Sequence, residues 1–320
     1  MPTVRLPLPI KTIRGRAPAT KAAATAADPA GPGSGCAELP RGGGDRRIQG
    51  VHPTTNAAGK TPGDGPGGTT IGSMAAQAGQ VTAGVVLAGG RSSRMGTAKA
   101  ALEWHGSTLL RRTLGVLGRA LDGPLLVVRA PGQPLPEIPP QVEITEDPQE
   151  GLGPLQGIAA GLAALAGHAD TAFVCSTDLP FLHPAFVRRV AAAVTEDVDV
   201  VLPAARGYPQ PLAAVYRAGL AGLVAELVAA GDLRPAFLFR HDRCRTLRLD
   251  DAALRTDAAL AAADPELESV VNVNSPDDYR VARAHPAPQV AVQCYGTLAN
   301  GHRGPRTVRA ATLAGAAGAV

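Results

Sequence analysis

Apolar runs alternate with helical patterns from residue 84 onward. Short runs that are apolar at every position are typical of strands buried on both faces, and apolar residues spaced three and four apart are typical of helices. The predicted strands are Gly84–Leu87, Leu125–Arg129, Val142–Ile144, Ala172–Cys175, Val198–Leu202, Leu212–Tyr216 and Val270–Val273. The predicted helices are Ser107–Leu121, Pro154–Ala166, Pro184–Val194, Ala218–Ala229 and Ser275–Arg283. This alternation predicts an α/β domain with a mostly parallel sheet and helices on both faces.

The two ends of the chain lack such patterns. Residues 1–73 contain 14 glycines and 10 prolines, and residues 286–320 are rich in alanine and glycine without a clear period. A segment that buries little apolar surface cannot offset its conformational entropy. We therefore expect a disordered extension over 1–73, one folded domain over 74–285 and a flexible tail over 286–320.

Charge and cysteine content exclude several classes of protein. Residues 74–285 carry 19 basic and 23 acidic side chains, a net charge of −4, so the basic excess of the whole chain lies in its ends. A nucleic-acid-binding domain would need a basic face on its folded part, and no apolar stretch reaches the length of a membrane span. The four cysteines show no metal or redox spacing, which fits a reducing compartment, and we expect a cytoplasmic protein.

The segment over residues 84–99 carries the strongest chemical signal. A short apolar run ends in Gly89-Gly90, and Arg94 and Lys99 follow within the next ten residues. Glycines let a backbone approach a ligand closely, and a glycine-rich cationic loop after a strand is suited to holding phosphate. Lys99 is also the only lysine among the 19 basic residues of 74–285, so one compact point charge stands in this loop.

Two common phosphate-binding motifs do not fit this loop. A P-loop needs Gly-Lys-Ser/Thr at the start of a helix, and the dinucleotide fingerprint needs a third glycine at a fixed spacing. Here Lys99 is followed by alanines, and no such third glycine follows Gly90. The remaining alternative is a surface turn with solvated arginines.

Two carboxylates follow predicted strands, where ligands bind in doubly wound sheets. Asp178 comes after the run that ends near Cys175, and it either holds Mg²⁺ on nucleotide phosphates or caps the next turn. Asp147 precedes Pro148, and it either accepts hydrogen bonds from a base or ribose or forms an ordinary turn.

Further polar residues are candidate ligands with an ordinary alternative. Asn272 and Asn274 flank Val273 at a predicted strand end, and we expect at most one of them to reach a metal or phosphate. Gln210 shapes an acceptor pocket or terminates a sheet edge, and Arg234 binds an anionic acceptor or is solvated.

Taken together and in order, these motifs resemble the molybdenum cofactor guanylyltransferases of the MobA type. The matching segments are Leu87–Gly96 with Lys99, Asp147, Gly153–Leu155, Asp178–Pro180 and Asn272–Pro276. The resemblance implies a Rossmann-like domain of the nucleotide-diphospho-sugar transferase type that moves GMP from GTP to the phosphate of Mo-molybdopterin. The products would be the guanine dinucleotide cofactor and pyrophosphate. Molybdenum insertion proteins and acceptor molybdoenzymes would be candidate transient partners.

The resemblance also implies roles for individual residues. Leu87, Ala88, Gly89 and Gly90 would contact the nucleotide, and Lys99 would hold its phosphates. Asp147 would contact the nucleoside, and Asp178 would bind Mg²⁺ and GTP. Asn274 is a second candidate metal ligand. Two positions depart from the family pattern: Ala98 stands where an acid usually precedes the lysine, and Arg129 stands where an asparagine often contacts the nucleotide.

The chemistry of nucleotidyl transfer explains why this set is sufficient. Attack of an acceptor phosphate on the α-phosphorus needs positioning and charge neutralisation more than a covalent protein intermediate. Lys99, Arg94, Asp178 with its metal, and backbone N–H groups would supply both.

Two other functions stay open on the sequence alone. One is a cytidylyl- or sugar-phosphate nucleotidyltransferase of the same fold, although Gly89-Gly90 leaves room for a purine. The other is a non-catalytic nucleotide-binding protein, against which the joint presence of Lys99, Asp178 and Asn274 argues.

The low-complexity composition before Met74 leads to a prediction about translation. We hypothesise that synthesis starts at Met74, ten residues before the first predicted strand. N-terminal sequencing of the native protein should then begin at Met74 or the residue after it. Recovery of peptides from residues 1–73 would contradict the hypothesis.

Overall fold

A computed structural model of the chain describes residues 81–89, 98–149, 151–293, 304–312, 315, 316 and 319. The predicted extension over 1–73, Met74, Gly90 and Arg94 lie outside these residues. Within the described part, every helix is too short or too polar to cross a lipid bilayer.

A single large sheet organises the described residues. The strands, in chain order, are β1 (Thr82–Leu87), β2 (Glu103–Trp104), β3 (Ser107–Thr108), β4 (Leu125–Arg129), β5 (Glu143–Glu146), β6 (Thr171–Ser176), β7 (Val200–Ala205), β8 (Tyr208–Pro209), β9 (Ala213–Arg217), β10 (Thr246–Asp250), β11 (Gln289–Val292) and β12 (Arg306–Arg309). The large sheet has the order β10-β7-β9-β6-β1-β4-β5, and β8 pairs with β7. Strand β1 pairs in parallel with both β4 and β6, so these three strands end at the same edge of the sheet.

Strand β9 is the antiparallel member inside this sheet. It runs antiparallel to β6 and β7, whereas β4 with β5 and β7 with β10 are parallel pairs. The predicted α/β class with a mostly parallel sheet is confirmed.

Helices cover both faces of the sheet, as predicted. They are α1 (Leu109–Ala120), α2 (Pro154–Ala164), α3 (Pro184–Ala191), α4 (Ala221–Ala229), α5 (Pro235–Leu238), α6 (Asp251–Arg255), α7 (Ala258–Ala263) and α8 (Pro276–Ala284). The apolar faces of α1 and α3 share one buried cluster with Val86 and Phe173 of the sheet. Those of α2 and α4 share the opposite cluster with Val85 and Val174. Adjacent residues of one strand thus face opposite layers, which explains why the strands are apolar at every position.

One predicted strand is wrong, and one edge strand of the large sheet was not predicted. The predicted strand Val270–Val273 is wrong: Glu268–Val270 forms a 3₁₀ turn, and Val271 donates its backbone N–H to Glu268 within that turn. Strand β10 is an additional edge strand, whose alternating Thr-Leu-Arg-Leu-Asp sequence has too few apolar residues to resemble the buried strands.

Two strands lie within the segment 286–320. There β11 and β12 pair antiparallel, with Val290 opposite Val308. The flexible tail expected over 286–320 stays a prediction.

Helix α2 packs unusually close to β1 because it presents glycines to the sheet. A Cβ atom built on Gly161 would lie 2.8 Å from Cγ1 of Val85 and 3.3 Å from Cγ2 of Val128. One turn earlier, a Cβ on Gly157 would lie 3.4 Å from the Leu87 side chain. The missing side chains bring the start of α2 next to the end of β1.

This packing predicts that Gly161→Ala destabilises the fold. Alanine in a helix normally gains about 0.5–1 kcal/mol over glycine. Here overpacking against a stiff, buried valine should cost about 1–3 kcal/mol and outweigh that gain. Thermal unfolding should therefore show a lower midpoint than for the unsubstituted chain.

Gly115→Ala in α1 is the matched control. Its added Cβ would meet its nearest neighbour, Nη1 of Arg119, at an ordinary 3.5 Å. This variant should unfold at a higher temperature. An equal rise in both variants would contradict the proposed close contact of α2 with β1.

Candidate active site

A cavity of about 490 Å³ opens at the sheet edge where β1, β4 and β6 end. Ligands bind at this position in α/β sheets because the chain turns away from the sheet there and leaves a crevice. The lining residues come from these strand ends and from the start of α2: Leu87, Ala88, Gly89, Lys99, Val128, Ala130, Asp147, Gly151, Gly153, Pro154, Gly157, Ser176, Thr177, Asp178 and Leu212. Six of the sequence-predicted site residues are therefore brought together.

The end of β1 forms one wall through its backbone. Ala88 donates its N–H to the carbonyl of Val128 at 2.8 Å, which continues the sheet beyond the last residue of β1. The carbonyl of Ala88 accepts a hydrogen bond from Nε2 of Gln133 at 3.0 Å. Gly89 is exposed, and a Cβ added there would lie 3.2 Å from the backbone nitrogen of Ala130. Residues in and directly after β4 thus fix this wall, and little space is left between Gly89 and Ala130.

Lys99 supplies the positive charge of the described cavity lining. It lies in the 3₁₀ turn Lys99–Ala101, and its Nζ is 3.4 Å from Oδ2 of Asp178 and 2.9 Å from Oδ1 of Asn274. The Lys99 and Asp178 side chains are 21% and 16% exposed, so the pair is only partly accessible to water. The two oxygens hold the ammonium at the cavity wall.

Asp178 lies two residues beyond β6 and is fixed from both sides. The hydroxyl of Ser176 donates to its Oδ1, and its carbonyl accepts the N–H of Val273 at 2.9 Å. The second bond brings the segment before α8 to the end of β6. It also places Asn274 next to Lys99.

Asn274 is oriented by the start of α8. The carboxylate of Asp278 accepts the backbone N–H groups of Asn274 at 3.0 Å and Ser275 at 2.9 Å, and Ser275 caps the helix in return. The hydrogen bond from Asn274 is the main cause that lowers the pKa of Asp278. The capping box stabilises the helix start and fixes the backbone that carries the Asn274 amide.

Asp147 lines the cavity beyond the end of β5. Its N–H donates to the carbonyl of Arg129 at 2.8 Å, and its Oδ1 accepts the N–H of Gln149 at 3.1 Å. Burial raises the pKa of this carboxyl, while the hydrogen bonds from Gln149 and Gln156 lower it. A half-buried acceptor of this kind is suited to pairing with the N–H or O–H groups of a nucleoside.

The loop into α2 forms the opposite wall. Gly151 and Gly153 have φ angles of +95° and +80°, a conformation that residues with a Cβ rarely adopt. Pro154 then occupies the first turn of the helix. The glycines let the chain turn into α2 with its start directed at the cavity.

Several predicted residues lie away from the cavity lining. The guanidinium of Arg129 donates to Glu146 at 2.8 Å and to the carbonyl of Gln133 at 3.0 Å. The Gln210 amide donates to the carbonyls of Ala205 and Tyr208, both at 3.2 Å. Their predicted roles in nucleotide and acceptor binding stay predictions.

Two further candidate acceptor contacts, Asn272 and Arg234, are exposed side chains. The residues around Asn272 do not form the predicted strand. Arg234 precedes the short helix α5. Their roles also remain predictions.

Three residues that support the site were not predicted from the sequence. Ser176 holds Asp178, Gln156 contacts Asp147, and Gln133 holds Ala88. Ser176 lies two residues before Asp178, a spacing that could have drawn attention to it. No local signal marks Gln133, because its contact with Ala88 depends on the pairing of β4 with β1.

The described oxygen donors fit a divalent cation with few protein ligands. Asp178 and Asn274 both direct an oxygen at Lys99, so one carboxylate and one amide converge on one point. No cluster of three or more His, Cys, Asp or Glu able to hold a metal occurs among the described residues. Mg²⁺ typically uses one or two carboxylates together with substrate phosphates and water, and this set meets that requirement.

The chain is similar in sequence to known proteins. The model of the MobA-like NTP transferase domain family matches residues 84–244. A relative from Mycobacterium tuberculosis H37Ra, named probable molybdenum cofactor guanylyltransferase, is 43% identical over 177 residues, which are 54% of this chain and 86% of the relative. A relative of the same name from Mycobacterium ulcerans is 41% identical over 187 residues, or 57% and 91% of the two chains.

A solved structure is also similar. The molybdopterin-guanine dinucleotide biosynthesis protein A from Archaeoglobus fulgidus is 23% identical, with a TM-score of 0.48, and the match covers 63% of this chain and 96% of that one. The family match begins in β1 and extends past β9, so it includes the strand ends that form the cavity. The chain belongs to the MobA-like NTP transferase domain family.

Proposed function

We propose that this protein is a molybdenum cofactor guanylyltransferase, which moves GMP from GTP to the phosphate of Mo-molybdopterin. The observation that carries the proposal is the meeting of Lys99, Asp178 and Asn274 at the wall of a cavity formed by strand ends. The names of the relatives at 41–43% identity support the choice of GTP and of this acceptor.

Bound GTP would extend from Asp147, at the nucleoside end of the cavity, to Lys99 at the phosphate end. The backbone of Leu87, Ala88 and Gly89 would contact the nucleotide, and Asp147 would accept hydrogen bonds from the nucleoside. The Lys99 ammonium would then be a point charge beside the phosphates. Asn274 and Asp178 hold this ammonium at the cavity wall, and it would turn from them towards the phosphates when the metal and the triphosphate bind.

The reaction is an in-line displacement at the α-phosphorus. An oxygen of the acceptor phosphate forms a bond to that phosphorus, the bond to the β-phosphate oxygen breaks, and its electron pair leaves with pyrophosphate. Lys99 would offset the negative charge that develops on the phosphate oxygens. No covalent protein intermediate is required.

Asp178 and Asn274 are the side chains that would hold the divalent ion, which we propose is Mg²⁺. When bound, it would neutralise phosphate charge and fix the geometry of the triphosphate. Ser176 would keep the Asp178 carboxylate directed at the cavity. Arg94 and Gly90 are further candidates within the loop that precedes Lys99.

Lys99→Ala and Asp178→Ala should each abolish most turnover while the chain stays folded. Removing one group that stabilises a transition-state charge typically costs about 10²–10³ in kcat. The measurement is pyrophosphate release from GTP with Mo-loaded molybdopterin, together with circular dichroism and thermal unfolding.

Asp242→Ala is the matched control, since Asp242 is exposed and does not line the cavity. It should retain turnover within about twofold. Near-normal turnover of either Lys99→Ala or Asp178→Ala would refute the assigned role.

The choice of nucleotide can be tested without the acceptor. A ligand that binds only the native state raises its apparent stability by mass action. GTP with Mg²⁺ should raise the unfolding midpoint more than CTP or ATP, and EDTA should reduce this shift. Stabilisation by CTP alone would instead indicate a cytidylyltransferase, and binding of GTP without pyrophosphate release in the turnover assay would indicate a non-catalytic protein.

A further inference from the structure

A second cavity, of about 760 Å³, lies along helix α1 and is separate from the first in its lining residues. Its floor is the α1 face that carries Arg111, Arg112 and Arg119. The β2–β3 hairpin, Pro136 with Glu137, and Ala311 with Thr312 form the walls. The last of these walls lies beyond residues 84–244, which match the family model.

The described lining of the cavity has three arginines and two glutamates, and each glutamate already has an arginine partner. The carboxylate of Glu103 accepts hydrogen bonds from Nε of Arg283 at 2.6 Å and from the N–H of Gly106. Glu137 lies 4.0 Å from Arg111, in an exposed pair. Among the described residues, neither Arg112 nor Arg119 has a carboxylate within ion-pair distance. Two guanidinium charges of the lining are thus uncompensated.

Arg112 is also partly removed from water, whereas Arg119 is an exposed side chain. Arg112 donates its Nε to the carbonyl of Pro180, and its guanidinium lies 6.0 Å from the ring centroid of Trp104. Burial lowers the pKa of Arg112 to about 10. A desolvated cation without a counter-charge is costly, and an anion that fills the cavity would relieve this cost.

We propose that this second cavity binds a phosphate-bearing anion through Arg112 and Arg119. Guanidinium groups match phosphate oxygens with two parallel hydrogen bonds, and the hydroxyls of Ser107 and Thr108 on the same lining offer further donors. Arg112 and Arg119 are seven residues apart on α1, which is about 10 Å along the helix axis. A ligand with more than one phosphate group therefore fits the spacing better than a single phosphate. The proposal is independent of the reaction assigned to the first cavity.

Trp104 provides a local reporter for the test. It is the single tryptophan of the chain, it lines the second cavity, and it does not line the first. Titration of the full chain with pyrophosphate, without divalent metal and at constant ionic strength, should change its fluorescence with saturation. Orthophosphate should bind more weakly than pyrophosphate.

Variants assign the signal to this cavity. Arg119→Gln should weaken pyrophosphate binding by about tenfold or more, as expected for the loss of a charge-assisted hydrogen bond. Glu137→Gln, at a side chain that is 91% exposed, should strengthen binding because it releases Arg111. Arg243→Gln, which makes the same charge change at an exposed pair outside this lining, and Lys99→Ala should leave the titration unchanged within about twofold.

Three results would overturn the proposal. The first is the absence of saturable pyrophosphate binding to the unsubstituted chain. The second is an unchanged titration in both Arg119→Gln and Glu137→Gln. The third is loss of the signal in Lys99→Ala, which would assign it to the first cavity and leave the proposed guanylyltransferase function standing.

Discussion

The contact of one ammonium with two oxygens is the constraint on which the site depends. Lys99 meets Asp178, 79 residues further along the chain, and Asn274, 175 residues further along. Lys99 begins the 3₁₀ turn Lys99–Ala101, Asp178 follows β6, and Asn274 precedes α8. Lys99 therefore joins three segments that the sheet alone would leave independent. Since the charges remain partly exposed, the full desolvation cost of a buried ion pair does not arise.

Backbone hydrogen bonds fix the segments that carry Asp178 and Asn274. The N–H of Val273 bonds to the carbonyl of Asp178, so the residue before Asn274 is fixed to the end of β6. The capping box at Ser275 and Asp278 then fixes the start of α8. On the other side of β1, the glycine face of α2 brings Gly153 and Asp147 towards the same cavity. The site thus rests on strand ends and helix starts, whose positions are set by the packed core.

Most of this arrangement could be predicted from the sequence, because it follows local rules. Fully apolar runs indicated doubly covered strands, and the carboxyl ends of parallel strands indicated where Asp147 and Asp178 would lie. The antiparallel direction of β9 could not be derived, since the burial and the apolar residues of Ala213–Arg217 resemble those of the parallel pair β1 and β4. The strand predicted over Val270–Val273 was wrong for a related reason. Valine favours strands, but among the described residues no strand pairs with this segment, and tertiary contacts override that preference.

The side chains that support the site were harder to predict than those that line it. Gln133 reaches Ala88 only because β4 lies beside β1, so its role depends on the pairing of distant segments. Arg129, the last residue of β4, stands where the family resemblance implies a nucleotide contact, and its guanidinium donates a hydrogen bond to Glu146 on the neighbouring strand. A position in sequence identifies the edge of a sheet, but hydrogen-bond partners across that edge decide which way a long side chain extends.

The two cavities show why one lysine remains in a domain of arginines. At the first cavity, water and phosphate groups would exchange around the cation, and a compact, strongly hydrated ammonium can change partners there by small rotations. At the second, Arg112 is partly buried against Trp104 and Pro180. A guanidinium is more weakly hydrated and stacks on aromatic rings, so it tolerates that position better than an ammonium would. The choice of cation at each cavity follows from how much water surrounds it, and this explains how one domain can present two anion-binding surfaces of different character.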